Sequence, residues 1–313
     1  MDVPALRVRV SRLIPAAALV LANIGIAAGA DPADQVAGQA QQERVKHEVD
    51  TFVSSAIVQS HHDEVLDRWN SEVCPLVAGL NKEQGEFILT RLSEIVKKAG
   101  APLGDEKCNA NFFVVFSKDP EPGLKRLANH HDAKAFNSET EAQLKQFVGT
   151  PRPVRVWYNA GKASVEGITL VSAILDPSSG AARHFSAPPG LDPVYNRVSP
   201  QVSSRLNLSP LTRDILSVIV VIDTTQVRKL NFGQISDYIG MLGLAQIDLD
   251  NDLGGAPSIL KVFKDSGEPP PMEMTVWDKA LLHALYSTPQ RNKMQLSEMQ
   301  TAMLNEIAAK TQN

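Results

Sequence analysis

The chain has 313 residues, 43% hydrophobic and 21% charged, with 31 Lys and Arg against 35 Asp and Glu, a net charge of −4. This is the composition of an ordinary globular protein able to bury a full core. It excludes a nucleic-acid partner, because phosphate backbones require clustered Lys and Arg and the longest basic cluster is Lys97-Lys98. No polybasic lipid-binding block is present either.

At the N-terminus, Arg7, Arg9 and Arg12 precede an apolar run from Leu13 to Ala28 that closes on Ala28-Gly29-Ala30. This is the pattern of a secretory signal peptide over residues 1–30, cleaved after Ala30. A retained anchor is the alternative, but a span needs about 20 consecutive apolar residues, and this run is shorter and broken by Asn23. The reading predicts a periplasmic or secreted protein with no stable membrane span after cleavage. The mature chain would carry 28 basic and 34 acidic residues, a net charge of −6. Export gives the two cysteines, Cys74 and Cys108, a meaning: in an oxidising compartment an isolated pair is a disulfide. Closing a loop of 34 residues contributes roughly 4 kcal/mol in the chain-entropy description. A catalytic thiol at Cys74 is the alternative, yet the nearest bases, His61 and His62, stand at no diagnostic spacing.

In chain order, residues 31–44 are small and polar and read as a flexible linker, ahead of one globular domain over 45–313. Val49, Phe52, Val53, Ala56 and Ile57 recur at helical spacing, predicting a helix toward Ser60. His61, His62, Asp63 and Glu64 form a polar cluster that reads as a solvated helix end. Asn81 is an N-cap with Gln84 three residues on, and Phe87, Ile88, Leu92, Ile95 and Val96 make the apolar stripe of a helix ending before Gly100. FFVVF at 112–116 has the length and bounds of a buried strand. His130 and His131 lie in a polar loop or helix end. A helix is expected from Glu139 to Val148. Along 153–159, Val154, Val156 and Tyr158 alternate with Arg155, Trp157 and Asn159, a strand with one half-exposed face; Trp157 and Tyr158 form a possible binding surface. Proline-rich residues 176–214 read as a long surface excursion.

SVIVVIDTTQVRKLNFGQISDYIGMLGLAQIDLDND, Ser217 to Asp252, is the centre of the chain, an apolar strand over 217–222 followed by a turn and an amphipathic helix ending in a glycine turn. Beyond it, Pro257 to Phe263 is a short ordered piece. A helix from Thr275 turns Val276, Ala280, Leu281, Ala284 and Leu285 inward with His283 on its flank, and a last helix from Leu296 to Ala309 turns Leu296, Met299, Met303 and Ile307 to one side.

The seven histidines never take HExxH spacing, and no G-x-S-x-G elbow, P-loop or G-x-G-x-x-G is present. Ser258 and Lys261 match S-x-x-K without the rest of the penicillin-binding pattern. Asp248, Asp250 and Asp252 are weak calcium candidates. The EF-hand pattern fails on them, with Leu253 in the glycine place and Ile259 in that of the final glutamate, so no metal and no cofactor is assigned.

The phrases RWNSEVCPLVAGL, RPVRVWYNA, SDYIGMLGLAQI and WDKALLHALYSTPQ resemble an uncharacterised family of exported proteobacterial proteins, and that resemblance covers most of the mature chain. A second resemblance, over nine residues, is to zincin-type metallopeptidases, whose active helix often reads H-E-x-x-H-x-L-G-L. Laid on Ser236 to Leu244 it keeps Leu242-Gly243-Leu244, with Ser236 and Gly240 in the two histidine places and Asp237 in that of the general base. The resemblance implies a zincin-like scaffold without its metal.

These readings predict an α/β protein, with α+β as the alternative, having a mixed sheet that includes 112–116, 153–159 and 217–222 with helices on its faces. The leading functional expectation is a non-catalytic protein that binds a protein or cell-envelope component. The alternative is a hydrolase or peptidase centred on Asp223 at the carboxyl end of the central strand with Asp237 nearby, where ligands gather in open α/β sheets.

Overall fold

The computed structural model describes residues 32–59, 65–129, 141–164, 169–170, 211–264, 267, 269–290 and 294–311. Residues 1–30, where a signal peptide is expected, His61, His62, His130, His131, His184 and the proline-rich stretch through Pro210 lie outside these residues. From Glu43 to Asn313 the chain forms one compact unit. Among the described residues, no helix is long and apolar enough to cross a membrane.

Five strands form one mixed sheet in the order β1-β2-β5-β3-β4. They are β1 (Pro75–Ala78), β2 (Phe112–Ser117), β3 (Val154–Ser164), β4 (Thr169–Leu170) and β5 (Leu211–Asp223). Strands β1, β2 and β5 run parallel, whereas β3 is antiparallel to β5 and to β4. The helices are α1 (Pro32–Ala56), α2 (Lys82–Ala99), α3 (Glu121–Asn129), α4 (Glu141–Gly149), α5 (Phe232–Leu244), α6 (Val276–Ser287) and α7 (Gln295–Thr311). The architecture is the expected α/β one.

The period of two along each strand sorts the core into two layers. Phe112, Val114 and Phe116 share a face with Val218, Val220 and Ile222 of β5, and with Val154, Val156 and Tyr158 of β3. This face carries the main core, to which α2, α5, α6 and α7 contribute Ile88, Ile239, Leu281 and Met299. On the other face Phe113, Ile219, Val221 and Trp157 meet Leu124 of α3 and Phe147 of α4. The face of β3 expected to be half-exposed is therefore covered, and Arg155, Trp157 and Asn159 are all buried.

Several boundaries differ from the sequence reading for identifiable reasons. Residues 32–44, expected as a linker, are helical and continuous with the rest of α1. Ala, Gln, Glu and Arg are strong helix formers even with no apolar face to bury. The helix stops at Ala56 rather than Ser60, where Ile57 bridges to Ile247. Strand β5 begins at Leu211, ahead of the expected 217, because its polar first residues pair with β3 and with the segment at Arg68. Phe87 and Val276, expected inward, are exposed.

Cys74 and Cys108 form the expected disulfide. Each immediately precedes or lies close before a parallel strand, β1 and β2, so the bond ties the same end of both. Gly104 makes room for it, since a Cβ there would meet both sulfurs at 2.6 Å.

Helix α5 is the largest departure. It is not amphipathic: every residue from Gln234 to Leu244 is buried. Its glycines do not end it; they let it approach its neighbours. A Cβ on Gly243 would lie 2.0 Å from the Phe112 ring, so this glycine sets the distance between helix and sheet. Gly85 on α2 has nothing within 4 Å of the same position. Gly243→Ala is expected to lose about 3 kcal/mol through overpacking, and Gly85→Ala to gain up to about 1 kcal/mol from helix propensity. Urea denaturation of the two variants should give shifts of opposite sign.

Candidate functional site

The residues that carry the metallopeptidase resemblance are packed rather than open. Ser236 is fully buried and its hydroxyl donates to the Phe232 carbonyl at 2.7 Å. Gly240 faces α2, where a Cβ would meet Ile95 Cδ1 at 2.8 Å and Cγ2 at 3.1 Å, leaving no room for an imidazole. Asp237 is wholly buried, with both carboxylate oxygens engaged. Arg91 of α2 donates from Nε to Oδ1 at 2.7 Å and from Nη2 to Oδ2 at 2.9 Å, and the Met274 backbone N–H donates to Oδ2 at 2.6 Å. This bidentate geometry is the strongest form of the pair. The hydrogen bond to Asp237 holds the Arg91 guanidinium above its ordinary pKa, against the opposing effect of burial. Asp237 is thus a structural anchor joining α5, α2 and the approach to α6. A general base needs a water, and this carboxylate has no free oxygen to present to one.

Asp223, the other carboxylate expected to act, does not join it. It caps the turn after β5, accepting from the Thr225 backbone N–H at 2.8 Å, the Thr225 hydroxyl at 2.6 Å and Gln226 Nε2 at 2.6 Å. Desolvation raises its pKa, but these hydrogen bonds outweigh it and leave Asp223 below its ordinary value.

The acidic triplet is dispersed in the same way. Asp248 Oδ1 accepts from the backbone of Asp250 and Asn251, Asp250 pairs with Arg152, and Asp252 accepts from the Gly254 backbone. Among the described residues no three His, Cys, Asp or Glu side chains gather as a metal site; Asp248 and Asp252 cap turns and Asp250 holds an ion pair. Ser258 and Lys261 also separate. The Ser258 hydroxyl donates to buried Asp278, and Lys261 Nζ donates to the Gly254 carbonyl.

Trp157 and Tyr158, by contrast, do lie beside an open groove. It has a volume of about 450 Å³, and its walls include Phe147, Arg155, Trp157, Tyr158, Gln246 and Asp250. One flank is β3 itself, whose outer side pairs with β4 only at Lys162 and Ala163. The two aromatics also have fixed structural duties. Trp157 tilts against Phe147 with ring centroids 5.5 Å apart, and its indole donates to Asn159. The Tyr158 hydroxyl lies 2.8 Å from the Leu242 carbonyl and 3.0 Å from that of Ala245, and burial raises its pKa. Each offers the groove a ring surface rather than a free polar group.

Trp69 and Tyr286 share this duty with Tyr158. Trp69 Nε1 donates to the Gly243 carbonyl at 2.7 Å, and the Tyr286 hydroxyl donates to that of Leu244 at 2.7 Å. Reading the sequence missed this set and missed Arg91. A signal for Arg91 existed, since it falls between Ile88 and Leu92 on the apolar stripe of α2, where a charge requires a partner. No protein family, curated protein or solved structure matches the chain in comparisons of sequence and fold.

Arg91→Ala leaves Asp237 charged and buried without its partner and is expected to cost about 3–5 kcal/mol. Asp237→Asn, which leaves a half-hydrated Arg91, should cost less. Asp223→Ala should lose about 1 kcal/mol at neutral pH. The folded carboxyl titrates below its unfolded value of about 3.9, so this contribution is complete above that pH and vanishes as the pH falls through the lowered value. Chemical denaturation from pH 7 to pH 2 would show the gap between wild type and Asp223→Ala closing only at the acid end.

Proposed function

We propose that this chain is an exported, non-catalytic binding protein, built on a zincin-like scaffold whose ligand positions have been given over to packing, that holds a protein or cell-envelope component in the groove beside β3. The observation that carries the reading is Ile95 against Gly240. The helix surface that a metallopeptidase would open to zinc is here the surface on which α2 docks, and Asp237 spends both oxygens on that docking. Open to solvent beside β3 is the groove lined in part by Trp157 and Tyr158, a concave surface in which aromatic side chains stand among Arg152, Arg155, Gln246 and Asp250, and concave surfaces of this kind are where ligands bind. Location in the periplasm or outside the cell is part of the reading, supported by the signal pattern over residues 1–30 and by the Cys74–Cys108 disulfide. Disulfides of this kind persist in oxidising compartments.

Soaking the purified mature protein with zinc, followed by dialysis and elemental analysis, should leave no stoichiometric metal, and no cleavage of a mixed peptide library should follow. Stoichiometric zinc together with peptidase activity would overturn the reading.

A further inference from the structure

Next to the groove lies a second, smaller recess of about 160 Å³. The two adjoin, sharing Arg152, Ile247, Asp248 and Leu249. The smaller one is an apolar cup with walls of Leu249, Leu253, Leu260 and Phe263, and Tyr238 of α5 forms part of its lining. Tyr238 is only 5% exposed, and its ring stands edge-on to Phe263 with centroids 5.0 Å apart. Its hydroxyl has no hydrogen-bond partner among the described residues, whereas those of Tyr158 and Tyr286 each reach a carbonyl at the end of the same helix.

The Tyr238 ring is buried, while its hydroxyl keeps some exposure to solvent. An unpaired hydroxyl that lines a cavity is a donor held ready for an incoming acceptor. Burial raises the Tyr238 pKa and the nearby Arg152 guanidinium lowers it, which places a cation within electrostatic reach of the phenol. Arg152 gives one Nη to Asp250, with its other donors unpaired among the described residues, and Lys264 stands at the rim with its ammonium on the Asn251 carbonyl. Asp248 is the one acidic residue in the lining, and its Oδ1 is already taken by two backbone N–H groups. A cavity of roughly 150 Å³ accommodates a benzene ring.

We propose that the Tyr238 cup is a recognition pocket for one branched or aryl apolar group carrying a carboxylate, with the phenol hydroxyl and Arg152 receiving the carboxylate. The inference rests on the binding function proposed above and gives it a ligand chemistry. Two sources supply this chemistry: a free short-chain acid, or the C-terminal residue of a peptide whose preceding residues lie in the larger groove.

The test titrates the folded mature protein, followed by amide chemical shifts, with phenylacetate, with a short peptide ending in Phe, and with the C-terminal amide of that peptide. Saturable shifts at Ile247, Leu249 and Leu260 with the acids and not with the amide are expected. If phenylacetate binds as tightly as the peptide acid, the source is a free acid. If the peptide acid binds more tightly and its shifts extend to Trp157 and Gln246, the source is a peptide terminus. Tyr238→Phe should weaken binding about tenfold and leave the protein as stable as before, because the hydroxyl it removes has no partner. The pocket is refuted if no acid produces saturable shifts, if the amide binds equally, or if Tyr238→Phe binds like the wild type. Each of these results leaves the zinc measurement untouched, so failure of the pocket is separable from failure of the non-catalytic reading.

Discussion

A helix buried on every side cannot give its last carbonyl groups to water, and this constraint organises the protein. The last turn of any α-helix leaves carbonyls without intrahelical donors, and leaving such a group buried and unpaired costs about 1–3 kcal/mol. Around α5 the donors come from three separate parts of the chain: the Trp69 indole, the Tyr158 hydroxyl of the antiparallel strand and the Tyr286 hydroxyl of α6. At its other end the helix is closed by the Asn231–Gln234 capping box. Between the two ends, Asp237 grips Arg91 and the Met274 backbone. Position and orientation of α5 are therefore set by directional bonds at its C-terminal end and at Asp237 as well as by apolar packing. The elements that supply those bonds are fixed in turn.

The same packing determines which surfaces are left for function. By admitting Ile95 at Gly240 and the Phe112 ring at Gly243, α5 closes against α2 on one side and the sheet on another. The remaining flank, toward β3 and the segment after α5, carries the two larger recesses, and a smaller one lies beside Arg91 and Met274 between α2 and α6. Tyr158 and Tyr238 both face that flank and behave differently. The Tyr158 hydroxyl is spent on the end of the helix and the Tyr238 hydroxyl is not, so the two tyrosines divide structural work from availability.

Much of the fold is legible in the sequence, wherever a local pattern has a local cause. FFVVF reads as a strand because its apolar run is bounded, α2 and α6 read as helices because Asn81 and Thr275 cap them, and the two cysteines read as a bond. The failures share a different origin. Strand β1 is only four residues, PLVA, too short for a period to show. Helix α1 begins in polar sequence where only propensity favours it. The glycines of α5 are explained by Phe112 and Ile95, residues far away in the chain, and no pattern inside SDYIGMLGL contains them. For the candidate site, the aromatic pair at 157–158 reads from the sequence as a binding surface, whereas its division into a packed indole and a helix-capping hydroxyl depends on α4 and α5. Tyr238 carried no sequence signal at all, because an unpaired hydroxyl is a property of what surrounds it.

Among the described residues, β5 is the last strand in chain order, and it sits between β2 and β3 in the sheet. During synthesis, β1, α2 and β2 emerge before β5, and the disulfide can close that unit while β2 still lacks its second neighbour. Until Leu211–Asp223 arrive, the edge of FFVVFS is unpaired. A short, uncharged run of aromatic and β-branched residues is the kind of segment that pairs between chains. The vulnerable species for this protein is thus a nascent chain waiting for its own central strand, and its yield in a folding reaction should depend on chain concentration more than the finished fold would suggest.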